Sequence, residues 1–193
     1  MEDLRIKKTK GKIHNGLIEL LGEESFEHIT VTDLCKRSGV TRITFYAYYD
    51  DKYALTAEIF GEMFDTAAVI FRSLQKSGNE TGDPVESCCN MLSAVFEMQE
   101  QYRDFLAKLP IENNSYMAFA YYWNVMRRAE DQAVEYIKML LPRYDPDMIT
   151  NMICSGVWGF IRTGISQERP TKQVIEESKN LLRSMLKNKD IFE

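Results

Sequence analysis

Apolar positions recur along the chain at helical spacing, and no segment alternates apolar and polar residues as a half-buried strand does. From about Leu4 to Gly22, Ile6, Ile13, Leu17, Leu20 and Leu21 share one helix face, while Arg5, Lys7, Lys8, Lys10 and Lys12 lie on another. Thr30 then stands as an N-cap with Asp33 three residues on, which predicts a helix over 31–38 closed by Gly39 in the left-handed conformation. Thr41 caps a second short helix over 42–48. Asp50 and Asp51 open a long one that carries Leu55, Ile59, Met63 and Phe64 to about Gln75. The Gly-, Ser- and Asn-rich stretch 76–84 predicts a linker. Beyond it, helices are expected near 85–108, 113–141, 146–166 and 171–188, with Pro84 and Pro170 as starts and Pro110 and Pro142 as interruptions. The expected fold is all-α, about nine helices: a three-helix helix-turn-helix domain over 1–52 and a helical domain over 53–193.

Composition narrows the chemistry. The 193 residues include 24 Lys plus Arg against 29 Asp plus Glu, a net charge of -5 that argues against coating nucleic acid through bulk positive charge. The excess is not evenly spread: residues 1–52 hold nine basic and nine acidic side chains, and 53–193 hold 15 and 20. Acidity therefore keeps the second domain, not the first, away from DNA. The two histidines, His14 and His28, and the cysteines at 35, 88, 89 and 154 offer no zinc-ligand spacing. No Walker loop, nucleophile elbow or dinucleotide fingerprint is present, so neither a cofactor nor catalysis is expected. The charged start lacks an apolar stretch behind it, and the apolar run 153–161 falls far short of the roughly 20 residues that span a bilayer. A cytoplasmic protein without membrane contact is expected.

Two short helices joined through Gly39 and Val40 have the form of a helix-turn-helix, whose second helix enters the major groove. Arg42, Thr44, Tyr46 and Tyr48 supply reach and hydrogen bonds there, and Phe45 and Tyr49, four apart, anchor the opposite face. The stretches Thr30-Val-Thr-Asp-Leu-Cys35, Gly39-Val-Thr41 and Thr44-Phe-Tyr-Ala-Tyr-Tyr-Asp-Asp-Lys-Tyr-Ala-Leu55 resemble the head of the tetracycline-repressor (TetR) family. The likeness is dense over 6–56, with Cys35 in place of the usual Ala, Tyr49 in place of Phe, and a small Ala47. Together with the chemistry, it implies Arg42 on a base edge, Thr44 on a base or a thymine methyl, and Tyr48 on backbone or base. Thr32, Thr41, Tyr46 and Lys52 are assigned to phosphates, and Thr30 is counted among the DNA-binding residues without a stated partner. Arg5, Lys8 and Lys12 are read as an arm reaching flanking phosphates or the minor groove.

The second domain carries no chemical motif but is dense in aromatics and Met. The resemblance implies an effector pocket, here expected to be bordered by Met63, Phe96, Phe105, Phe119, Tyr122, Trp123 and Met126 and to take a small apolar or aromatic molecule. It also implies a homodimer. The candidate interface is the stripe Ile149, Met152, Ile153, Gly156, Val157 and Phe160 with its counterpart Val174, Leu181, Leu182 and Met185, and Gly156, Gly159 and Gly164 are expected to allow close helix approach. A two-fold dimer would present two recognition helices to a pseudo-palindromic operator in double-stranded DNA. The expected function is a sequence-specific DNA-binding transcriptional regulator, a ligand-responsive dimeric repressor. Two alternatives stay open: an activator or co-regulator controlled by a protein partner, and a helical enzyme or interaction module that no longer binds DNA.

Overall fold

A computed structural model describes residues 2–109 and 116–192. Among these residues the fold is all-α, and the only extended pairing is an isolated bridge between Pro142 and Phe192. The helices are α1 (Glu2–Leu20), α2 (Val31–Ser38), α3 (Arg42–Tyr46), α4 (Lys52–Gly78), α5 (Pro84–Gln101) and α6 (Arg103–Leu106). They continue with α7, which runs through Tyr116–Tyr121, a π-helical turn at Tyr122–Met126 and Arg127–Met139, then α8 (Pro146–Ser166) and α9 (Thr171–Leu186).

Capping chemistry sets most of these boundaries. Thr30 and Asp33 form a reciprocal capping box at α2, and Gly39 ends that helix at φ 65°, where a β-carbon would be strained. Asp51 Oδ1 accepts the backbone N–H groups of Tyr53 and Ala54, both at 2.8 Å, and so starts α4. Asp145 does the same for Met148 at 3.0 Å, with Pro146 in the first turn of α8.

Three expectations change. The helix expected over 42–48 ends at Tyr46. The linker expected over 76–84 shrinks to a corner at 79–83, because Asn79, 7% exposed, satisfies it from inside. Its Nδ2 donates to the Asp83 carbonyl at 2.8 Å and to Ser87 Oγ at 3.0 Å, and its Oδ1 accepts the Asp83 N–H at 2.8 Å. The helix expected over 85–108 breaks at Tyr102, whose ψ of 17° separates α5 from α6. Pro110 and the expected helix start at 113 lie outside the described residues.

The chain forms two compact units, Met1–Phe64 with Gln101–Val125, and Asp65–Glu100 with Met126–Glu193. In the first, α1 packs on α2 and α2 on α3 around Ile13, Leu17, Leu34, Phe45 and Leu55, all fully buried. Phe60 continues this core with ring contacts to Phe105 and Tyr121, each 5.8 Å between centroids. In the second, Ile149, Ile153, Val157 and Ile161 repeat every four residues along α8 and meet Val174, Leu182 and Leu186 of α9. Each such side chain contributes about 1.5–3 kcal/mol by leaving water. Gly164 permits the approach of α8 to α9, since a β-carbon there would stand 2.9 Å from both Val174 methyls.

Candidate nucleic-acid interface

The head's outward chemistry follows from which face of α3 is spent on the core. Phe45 and Tyr49 are buried, 0% and 3% exposed, and their rings lie 5.6 Å apart. The opposite face is therefore outward: Arg42, Ile43, Tyr46 and Ala47 are exposed and Thr44 is half-buried. Arg42 lies 5.8 Å from the Tyr46 ring centroid, and its Nη2 donates to the Tyr46 hydroxyl at 3.5 Å. That contact restrains a long side chain in advance of any base.

Thr41 is an N-cap: its Oγ1 accepts the Thr44 N–H at 3.1 Å and lies 2.9 Å from the Thr44 hydroxyl. One proton of this hydroxyl pair remains for an outside acceptor such as a phosphate oxygen. Thr30 is committed to its capping box with Asp33, whereas Thr32 is exposed on the first turn of α2. Tyr48 is half-buried beside Tyr49, with Lys10 Nζ 5.9 Å from its ring centroid.

One basic assignment changes, that of Lys52. Arg5, Lys8 and Lys12 lie on α1, as their helical spacing of three and four implies; they are exposed, and their side chains have no ion-pair partner among the described residues. Lys52 is turned inward: Nζ donates to the carbonyls of Phe26 at 2.7 Å, Glu27 at 3.0 Å and Ile29 at 2.9 Å, 4.6 Å from the centre of the Phe26 ring. With three protons on three carbonyls, the ammonium clasps the 21–30 loop to the start of α4 and has none left for a phosphate.

A network absent from the sequence reading ties α1 to α4 beneath the recognition helix. Lys10 Nζ donates to Glu58 Oε2 at 2.8 Å, and the Tyr49 hydroxyl donates to Glu58 Oε1 at 3.0 Å. His14 Nε2 is 3.0 Å from the same hydroxyl, and its Nδ1 is 3.7 Å from Glu62 Oε2. Burial alone would raise the Glu58 carboxyl, but the bonds from Lys10 and Tyr49 bring it below its ordinary value. His14, Glu58 and Glu62 offer ligand atoms within 4.8 Å of one another, but Glu58 already has an ammonium partner.

Burial lowers the His14 pKa, against the pull of Glu62 and Glu58. Between 6.5 and its lower folded value, the unfolded chain therefore holds a proton that the folded chain does not. Stability falls as pH drops through that window, by at most about 1.4 kcal/mol per pH unit. His14→Gln removes this slope. Thermal midpoints between pH 7.5 and 5.5 should thus decline less steeply in the variant, and parallel curves would refute the assignment.

The effector and dimer candidates separate into buried and exposed sets. Met63, Phe96 and Phe105 are core at 8% exposure or less, and Met126 is half-buried. Phe119, just before the π-helical turn, and Tyr122 and Trp123 within it are exposed, their rings 5.9 Å (Phe119 to Trp123) and 5.8 Å (Tyr122 to Trp123) apart. Of the dimer stripes, Ile149, Ile153, Val157, Val174 and Leu182 are spent on the chain's own core. Met152, Gly156, Phe160 and Leu181 are exposed and Met185 is half-buried. Gly156 and Gly159 face open space within the chain, so only Gly164 of the three serves internal helix approach. Met148, 74% exposed, extends the outer ridge and was not in the sequence-based set. Burial pushes the Cys88 and Cys154 thiols up to about 12 and the Cys89 thiol up to about 11, which leaves them protonated and poor nucleophiles.

Residues 13–59 match the sequence model of bacterial regulatory proteins, tetR family. The head belongs to the tetR family. No curated protein matches the chain. Solved structures match it over more than nine-tenths of its length. The TetR transcriptional regulator of Streptococcus agalactiae 2603V is 22% identical with a TM-score of 0.61, covering 97% of this chain and 98% of its own. The fatty acid degradation regulator FadR of Bacillus halodurans is 14% identical with a TM-score of 0.68, covering 94% and 97%. The flavonoid-responsive regulator FrrA is 17% identical with a TM-score of 0.67, covering 93% and 95%. At these identities the likeness establishes a shared fold, and the family match itself lies on the helix-turn-helix head. No helix among the described residues is long and apolar enough to cross a membrane.

Proposed function

We propose that this tetR-family chain is a homodimeric, ligand-responsive repressor that reads a pseudo-palindromic operator. The observation that carries the reading is the outward face of α3, where Arg42, Thr44 and Tyr46 stand clear of a core held by Phe45 and Tyr49. Arg42 reads a base edge, and Thr41 and Thr32, with the cationic stripe Arg5, Lys8 and Lys12 on α1, hold phosphates. The head comprises residues 1–52, and 53–193 sense and pair.

An exposed ridge on α8, Met148, Met152, Gly156 and Phe160 at spacing four, with Leu181 and Met185 of α9, meets its symmetry mate. Phe119, Tyr122 and Trp123 provide aromatic faces for an apolar or planar effector, and FrrA, similar in fold, is flavonoid-responsive. A π-helical turn often marks a functional place in a helix, and this one carries Tyr122 and Trp123. The effector acts through its different affinity for two arrangements of the dimer, transmitted along α4. Sedimentation of the full chain at micromolar concentration is expected to give a dimer, and Met152→Arg with Phe160→Arg a monomer that loses tight operator binding. A wild-type monomer would contradict the reading.

A further inference from the structure

Ile43 is 85% exposed, more than any other large apolar side chain among the described residues, and it stands on α3, the helix proposed above to read the operator. Single exposed apolar residues are ordinary on protein surfaces. This one is not isolated. Tyr46, 48% exposed, lies three residues on, and exposed Ala47 lies four residues on, with α-helical dihedrals at φ -70° and ψ -17°. Ile43 and Ala47 therefore share one exposed apolar face, a branched side chain beside a methyl stub.

The major groove offers one small apolar group, the C5-methyl of thymine. The donors and acceptors of the other base edges would lose water against Ile43 without gaining a hydrogen bond, and cytosine, which has only C–H at the same ring position, offers less apolar surface than thymine. Arg42 itself is held against the Tyr46 ring and hydroxyl. We infer that Ile43, with Ala47, reads a thymine methyl in each half-site, a specificity contact beside the base read by Arg42. This rests on the reading of the chain as a DNA-binding regulator.

The test is a cycle between protein and DNA. The full chain first selects duplexes from a random-sequence pool, and each thymine of the selected site is then replaced by deoxyuridine, which removes only the methyl. With wild-type protein, one thymine per half-site should cost about 3- to 5-fold in affinity, the worth of one buried methyl group. With Ile43→Ala, a surface change compatible with folding, that cost should vanish at the same position while other positions respond as in wild type. Equal costs for both proteins, or no thymine position with a cost, would overturn the assignment while leaving DNA binding intact. Failure to select any sequence would overturn the DNA-binding reading and the inference with it.

Discussion

Lys52→Met should lower the midpoint of the transition that unfolds the head by about 5–10 °C, at roughly 2–4 °C per kcal/mol for a chain of this size. The sequence places this lysine on a phosphate; the fold places it on three carbonyls at 2.7–3.0 Å. Hydrogen bonds from a charged donor contribute about 1.5–3 kcal/mol each but are not additive, so losing all three costs about 2–4 kcal/mol. The Phe26 and Ile29 carbonyls are half-buried and cannot all regain water, and the loop they belong to seats Phe26 and Ile29, each 1% exposed. Burial has already lowered the Lys52 pKa, as expected for an ammonium held inside. A phosphate contact would instead take about 0.9 from the slope of log K against log salt. A variant that melts like wild type while its salt slope falls by that amount would return Lys52 to the DNA.

Arg42→Ala is expected to weaken operator binding by about 1–3 kcal/mol per half-site and to erase the preference for guanine at one base pair. The side chain is exposed and held against the exposed Tyr46 ring, so stability should change little. Arg42→Lys should not restore selectivity, because a point charge lacks the two-pronged geometry that matches guanine. Competition binding against operators altered one base pair at a time distinguishes the outcomes. A uniform loss across all sequences, with a shallower salt slope, would move Arg42 to the phosphates.

What the sequence made legible was whatever short-range chemistry decides. Thr30 with Asp33, Gly39, Thr41, Asp51 and Asp145 with Pro146 each mark a helix end through a bond to the next turn. The buried face of α3 was equally legible from the four-residue spacing of Phe45 and Tyr49, and that spacing implies the outward position of Ile43. What stayed hidden depends on partners far along the chain. Lys52 finds carbonyls 23–26 residues away, and Lys10 and His14 meet Glu58 across more than 40 residues. Composition cannot reveal that a lysine is already engaged. The α8 stripe shows the same limit: its period says that one face is buried but not against what. Ile149, Ile153 and Val157 went to α9 of the same chain, and Met148, Met152 and Phe160 remain outside.

The most direct test of the account is to sequence the duplexes that the full chain retains from a random pool at physiological salt. A two-fold symmetric motif is expected, its half-sites about one helical turn apart or a multiple of it, each with a guanine that Arg42→Ala no longer selects. Retained DNA with no enriched motif, or with one that Arg42→Ala leaves unchanged, would contradict it.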